Sequence, residues 1–290
     1  MAIATGTVPL LTAKPARPRA LTTWAVLAVT TVVVIVLLAA PGLIARTGPT
    51  ATTVDILAPP SGAHWFGTDQ LGRDMFSRTV YGARPVLIAS LLGVIVATVA
   101  GVALGLAAGT APRWLNAVLM RVIDVLLAIP VLMIALILIV TAGSGVPSIV
   151  IALGVAFTPG FARVVEASVR KLRSVEYVQA ARVFGATSAH TSVRHLLPNL
   201  TTEVVVLGTS AVGWAVLTAT TLSFLGLGVQ LPQPDWGSDL AAGATYLSTS
   251  WWLPTFPGLA ITVTILVANF AGDALLTALD PRGAIAGGAR

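Results

Sequence analysis

Cysteine is absent from the 290 residues, so disulfides and thiol chemistry are excluded and cysteine says nothing about the redox compartment. Charge is nearly as scarce: Asp, Glu, Lys and Arg make up only 10% of the chain. A soluble domain carries roughly 25%, and so few charges cannot cover a water-exposed surface. The outer segment 45–84, with one histidine and scattered carboxylates, holds no recognisable metal-ligand set. There is also no Gly-rich phosphate loop ending in Gly-Lys-Ser/Thr, no zinc helix and no nucleophile–base pair. What the chain has in abundance is apolar surface, 56% of its residues with a mean hydropathy of +0.91. Most of it must face lipid or other apolar helices.

A helix crossing the ~30 Å hydrocarbon core needs about 20 mostly apolar residues. Six runs qualify: Leu21–Ile44, Pro85–Ala108, Leu115–Val140, Ser148–Ser168, Glu203–Val229 and Trp252–Leu279. The expected fold is therefore an all-α integral membrane protein with six transmembrane helices. Pro130, Pro159 and Gly160 are points where a span can break. Trp24, Trp114, Trp251 and Trp252 fall at predicted ends, as interfacial aromatic belts do. Gly101, Gly105 and Gly109 recur every fourth residue and put a flat strip on one helix face, suited to close helix packing. Residues 1–20, with Lys14, Arg17 and Arg19 between prolines, read as a tail, and the following run as a retained anchor rather than a signal peptide.

The net charge of +6 is explained by topology without nucleic acid. With the N-terminus in the cytoplasm, the inner segments hold Arg113, Arg121, Arg163, Arg170, Lys171, Arg173, Arg182, Arg194, Arg282 and Arg290 besides the tail; the outer ones hold only Arg46, Arg73, Arg78 and Arg84. The positive-inside rule then places both termini in the cytoplasm. Two connections exceed what topology requires, the outer 45–84 and the inner 169–202, and long loops in compact proteins tend to be functional.

The inner loop reads as two short helices lying across the cytoplasmic mouth. Ser174 is an expected N-cap with Glu176 in the first turn, Gly185 a stop, Thr187 or Ser188 a second cap, and Pro198 a second stop. Ala180 and Ala181 leave one side bare of bulk, so another protein can approach closely. An Ala-x-x-x-Gly turn also imitates a DNA-binding helix-turn-helix, but the flanking spans leave no room for a supporting helix. In the outer loop the i,i+4 pairs Asp69–Arg73 and Asp74–Arg78 favour a short helix lying on the membrane, and its mixed charges read as a structural cap rather than a substrate contact.

These segments carry a family resemblance. The pattern Ala180-Ala181, Gly185, His195, Leu197-Pro198 resembles the EAA loop of ABC importer permeases, with Gln179 where Glu is usual, Glu176 upstream, and His195 replacing a common Ile. The outer string Phe66-Gly67-Thr68-Asp69, Gly72-Arg73-Asp74, Ser77-Arg78, Tyr81-Gly-Ala-Arg84 closely resembles the FGTDxxGRDxxSRxxYGAR signature of the C-type permease of dipeptide, oligopeptide and nickel importers. The stretch Leu222-Ser-Phe-Leu to Pro-Asp-Trp236-Gly and the tail Leu279-Asp-Pro-Arg282 resemble two further segments of that family. Ala219, where many members are acidic, and Leu276-Thr277, where many have Arg-Asp, depart from it.

The resemblance implies a type I ABC importer permease: a tail 1–20, a first helix with extracytoplasmic loop over 21–84, a core over 85–282 with coupling loop 174–198, and a tail 283–290. It implies a homologous B-type permease as heterodimer partner, two cytoplasmic ATPases that bring ATP and Mg, and an extracytoplasmic substrate-binding protein. The chain itself would be no enzyme and hold no cofactor or metal; lipid surrounds it and nucleic acid is no partner. Di- or oligopeptides are the expected cargo, with nickel chelates, haem or glutathione as the family's alternatives. A stand-alone secondary transporter would show inverted repeats and broken helices with midplane charges, and a membrane-embedded enzyme would need a catalytic set. Inside the spans, Asp124 is expected to pair with Arg121, Glu166 and Glu203 to be solvated at inner ends, and Asp273 to meet a basic residue of the inner loop. Thr218, Thr220, Thr221 and Ser223 can line a polar pathway or bond back to their own helix.

Overall fold

The computed structural model describes residues 20–185 and 187–279. The tails 1–19 and 283–290, and Asp280-Pro281-Arg282 of the C-terminal string, lie outside the described residues. Ten α-helices are found among the described residues: α1 (Ala20–Ala39), α2 (Met75–Thr110), α3 (Arg113–Ala128), α4 (Val131–Ala142), α5 (Val146–Arg173), α6 (Glu176–Val183), α7 (Ser188–Thr191), α8 (Leu197–Phe224), α9 (Trp236–Ala244) and α10 (Trp252–Leu279). A π-helical turn over Ser192–Leu196 joins α7 directly to α8.

All six apolar runs fall on helix, but they are not six straight spans. Among the described residues four helical stretches are long and apolar enough to cross a membrane: α2, α5, Ser192–Phe224 and Trp252–Leu276. The expected third span is instead two helices, α3 and α4, bent by 90°. Pro130 lacks the N–H that would continue the ladder, and it drives Ile129 into extended geometry (φ −90°, ψ 129°). Pro159, by contrast, breaks nothing: α5 runs through it from Val146 to Arg173. In α1 the described apolar stretch is Leu27–Ala39, shorter than a full span.

The short outer helix expected over Asp74–Arg78 is not separate. Asp74 caps Met75–Thr110 by accepting from Ser77 N (2.8 Å), so the signature residues form the first turns of one 36-residue helix. That helix is the spine of the bundle, packing on α5, α8, α1, α3, α9 and α10. Its pairing with α5 is the most extensive, and the glycine strip explains it. A Cβ at Gly101 would stand 2.3 Å from Phe161 Cβ, one at Gly105 2.6 Å from Val165 Cβ, and one at Gly109 2.6 Å from Val169 Cγ1. Only hydrogen fits, and the two backbones close on each other as the four-residue spacing predicts. Around this seam Ala97, Ala152, Leu153, Phe161, Ala215 and Leu222 form the main apolar core.

The bundle has two elaborated ends. The cap end carries residues 41–74 and α9; the loop end carries α6, α7 and the π-helical turn.

Candidate functional site: a buried cap and an exposed loop

At the cap end the signature side chains turn inward. Thr68 is buried and donates to Asp55 O (2.5 Å) while accepting from Ala58 N (2.9 Å). Asp69, 3% exposed, accepts from Leu71 N (2.8 Å), Arg73 N (2.9 Å) and Arg73 Nε (2.6 Å). The expected Asp69–Arg73 pair therefore forms, within a tight turn rather than a helix. Gly67 and Gly72 have φ of +73° and +70°, and a Cβ at Gly72 would lie 2.2 Å from Thr53 O. Ser77 is buried against Thr47, with Oγ–Oγ1 at 3.1 Å. Tyr81 is half-buried beside Gly42, and Arg84 is exposed.

The second expected pair, Asp74–Arg78, does not form. Asp74 is occupied by its capping bond and by His64 Nδ1 at 3.0 Å. Arg78, 0% exposed, reaches instead to Asp239 on α9: Nη2–Oδ1 is 2.5 Å and Nε–Oδ1 3.2 Å. It also donates to Pro49 O and Pro232 O, both at 3.2 Å, and lies 3.9 Å from Asp69. One guanidinium thus ties the loop after α1, the loop after α8, and α9 to the start of α2. Two tryptophans add locks: Trp236 Nε1 donates to Thr79 O (2.7 Å) and Trp252 Nε1 to Thr68 O (3.2 Å). Trp252 is therefore no belt residue; Trp24, Trp114 and Trp251 are the exposed ones.

Sequence reasoning missed Asp239 altogether and quoted Asp235 only within a longer string. Asp235 caps α9, accepting from Gly237 N (2.9 Å) and Ser238 N (3.1 Å). Burial nevertheless pushes its carboxyl up to about 6, against those bonds and one from Ser223. Burial also raises Asp239, outweighing the Arg78 guanidinium that pulls it down. Its Oδ2 has no hydrogen-bond partner among the described residues, consistent with that direction.

At the loop end, Gly185 (φ +85°) ends the turn after α6, as expected. Thr187 Oγ1 caps α7 by accepting from His190 N (3.2 Å). Two expectations are corrected. Ser174 caps the end of α5, its Oγ donating to Lys171 O (2.7 Å), rather than the start of α6. Pro198 falls at the second residue of α8 instead of closing the second short helix; the π-helical turn before it, in which Leu197 N donates to Ser192 O, carries the chain helically into α8. Val178 and Leu196 are fully buried with Val165, Val169 and Leu200, fastening the loop to α5 and α8. Asn199 adds a bond to Tyr177 Oη (3.2 Å) and to His195 O (2.6 Å). Glu176, Ala180, Leu197 and Pro198 face outward, Ala181 and His195 partly so. The most exposed large apolar residues of the loop are Val183 at 85% and Phe184 at 89%, beside an open hollow bordered by Ala181, Gly185, His190 and His195.

Between the ends, charge pairing differs from expectation. Asp124 pairs across helices with Arg163 (3.2 Å) rather than with Arg121. Glu166 is buried, not solvated, and is held by Asn116 Nδ2 (2.9 Å) and Arg170 Nε (3.1 Å). Glu203 and Asp273 are exposed. Thr218, Thr220 and Thr221 donate back to Trp214 O (2.8 Å), Val216 O (2.8 Å) and Leu217 O (2.7 Å), and Ser223 is buried against Gly228.

This architecture defines a multi-pass membrane component with an exposed apolar tip at one end and a locked cap at the other. Residues 101–284 match the family described as binding-protein-dependent transport system inner membrane component, and the chain belongs to that family. It is similar to the glutathione transport system permease protein GsiD of Pectobacterium atrosepticum, 40% identical over 223 residues that cover 77% of this chain and 74% of that protein. It is likewise similar to the dipeptide transport system permease protein DppC of Bacillus subtilis, 40% identical over 225 residues, covering 77% and 70%. The di/tripeptide transport system permease protein DppC of Pseudomonas aeruginosa is 37% identical over 233 residues, covering 78% and 77%. Among solved structures, a chain of the MetNI methionine ABC transporter in inward-facing conformations aligns at a TM-score of 0.58 and 19% identity, over 70% of this chain and 97% of that one. The shared fold is that of type I ABC importer permeases.

Proposed function

We propose that this chain is the pathway-forming subunit of an ATP-driven importer of di- or oligopeptides, working beside a homologous B-type permease. The similar proteins named for dipeptide, di/tripeptide and glutathione transport all act on cargo built of peptide bonds, which favours peptides over nickel chelates or haem. ATP and Mg belong on two partner ATPases, since no phosphate-binding loop occurs in this chain. The observation that carries the reading is the tip of the loop. Two large apolar side chains stand almost fully exposed between buried anchors, as a protein-docking surface requires. In this reading the loop end and both termini face the cytoplasm and the cap end faces a binding protein outside. Glu176, Ala180, Ala181, Gly185, His195, Leu197 and Pro198 belong to the ATPase-facing element; Gly67, Thr68, Asp69, Gly72, Arg73, Asp74, Ser77, Arg78, Tyr81 and Arg84 build or border the cap. Thr218, Thr221 and Ser223 remain proposed pathway lining, by position on α8 alone, because the two threonines spend their protons on their own helix.

ATP-driven closure of the ATPases would push α6, and Val178 and Leu196 would pass the displacement to α5 and α8. Gly185 supplies the test. No heavy atom lies within 4 Å of a Cβ built there, so a side chain meets no internal clash, only backbone strain and the incoming partner. Gly185→Trp should leave membrane insertion intact and uncouple ATP hydrolysis from peptide uptake in reconstituted vesicles. Unchanged coupling would remove the docking role, and a complete complex whose uptake ignores ATP would remove the importer reading.

A further inference from the structure

An apolar cavity of about 550 Å³ lies between α1, α2 and α10, with no residue of α8 or of the loop in its lining. Its floor includes Ala83 and the face of Trp236, whose indole N–H is already spent on Thr79 O. Two of the hydroxyls that border it, Thr79 and Thr264, donate back to Met75 O (2.7 Å) and Ala260 O (2.8 Å). A space with this lining makes no demand for water.

Its length and its rim say what fits. On α1 the lining runs from Leu37 to Val29, and on α10 from Phe256 to Val267. At 1.5 Å per residue these are about 12 Å and 16 Å. Half of a ~30 Å hydrocarbon core is ~15 Å, so the cavity spans the depth of one leaflet. Val33 and Val263 on its lipid-facing side are about half exposed, leaving a lateral opening. At the cap end an aromatic chain closes it: Phe66 stacks on Phe256 (3.8 Å), Phe76 meets Phe66 edge-on (5.0 Å), and Trp65 meets Phe76 (5.0 Å). Above Trp65 lies the Arg46 guanidinium, 3.6 Å from the ring centroid. Arg46 donates to Gly62 O (3.2 Å), and among the described residues no carboxylate pairs with it. A cation on an aromatic ring at headgroup depth, over a leaflet-deep apolar slot, is complementary to an anionic head with a hydrocarbon tail.

We propose that this cavity is a phospholipid site: one acyl chain of a lipid from the cap-side leaflet fills the slot, and its phosphate is held at Arg46. The bound chain would fasten α1, whose main contacts among the described residues are with α2, α10 and the short turn after it, to the rest of the bundle.

The test uses the full complex in detergent, washed with lipid-free buffer and read by native mass spectrometry and phospholipid extraction. Wild type should retain a phospholipid. Val33→Trp/Val263→Trp, which fills the slot from its exposed side, should lose that mass while keeping its partner subunits, and Arg46→Glu should shed the lipid at lower detergent concentration. A benzophenone side chain at Leu259, in otherwise native complex, should crosslink to lipid. Equal retention in wild type and the filled variant overturns the proposal; so does a Leu259 crosslink to the partner permease, which would make the slot a subunit interface. Lipid retention is read without transport, so failure here leaves the peptide-importer reading standing.

Discussion

Arg78 shows how far a side chain's partner can lie from its sequence neighbours. Spacing offers Asp74, four residues away; the structure offers Asp239, 161 residues away, because Asp74 is needed as a helix cap. No pattern in the chain encodes that pairing, whereas Asp69–Arg73 is local and was legible. Removing one partner of a buried ion pair leaves the other uncompensated, at about 3–5 kcal/mol. Arg78→Met should therefore lower the melting temperature sharply, and Arg78→Met/Asp239→Leu should recover much of it, as followed by thermal unfolding in detergent. Asp235 gives a pH signature. Its folded carboxyl titrates near 6, above its ordinary 3.8, so the folded state binds the proton more tightly than the unfolded chain. The stability this lends is full below about pH 4 and lost as pH rises through 6. Melting temperature should fall across that window, and Asp235→Asn, which keeps a good capping residue, should flatten the fall.

At the scale of elements, the glycine strip was readable because four-residue spacing is a local property of one helix; which helix it meets was not. Gly105→Leu should wedge α2 from α5, lowering stability by about 1–3 kcal/mol as overpacking does. Gly160→Ala, on the partner helix but facing open space, should be neutral or stabilising. Equal melting shifts for the two would mean that the seam does not hold the bundle. The break at Pro130 was foreseeable as a possibility, yet its 90° angle and the continuity of α5 through Pro159 depend on neighbouring packing that a chain reading does not contain. For the same reason Pro198, read as a stop, became a start: proline rules fix where an N–H is missing, not which of two helices claims the residue.

For the whole molecule, hydropathy revealed a membrane bundle and loop lengths revealed its two elaborated ends, while the closure of the cap around α9 needed three dimensions. One consequence follows from the length of α2. Its tight seam with α5, centred near Gly101, is far from symmetric along the helix. Met75 lies about 39 Å beyond that point and Thr110 only about 14 Å, at 1.5 Å per residue. If the seam acts as a fulcrum, the helix is an unequal lever, and a small swing at the loop end is magnified nearly threefold at the cap, ~39 Å against ~14 Å. Spin labels at Arg84 and at Ala107, exposed positions on the two arms of α2, should therefore report a larger ATP-dependent excursion at Arg84 in the complete complex. A gate at the far face of the membrane could then be opened wide by a short stroke at the near one.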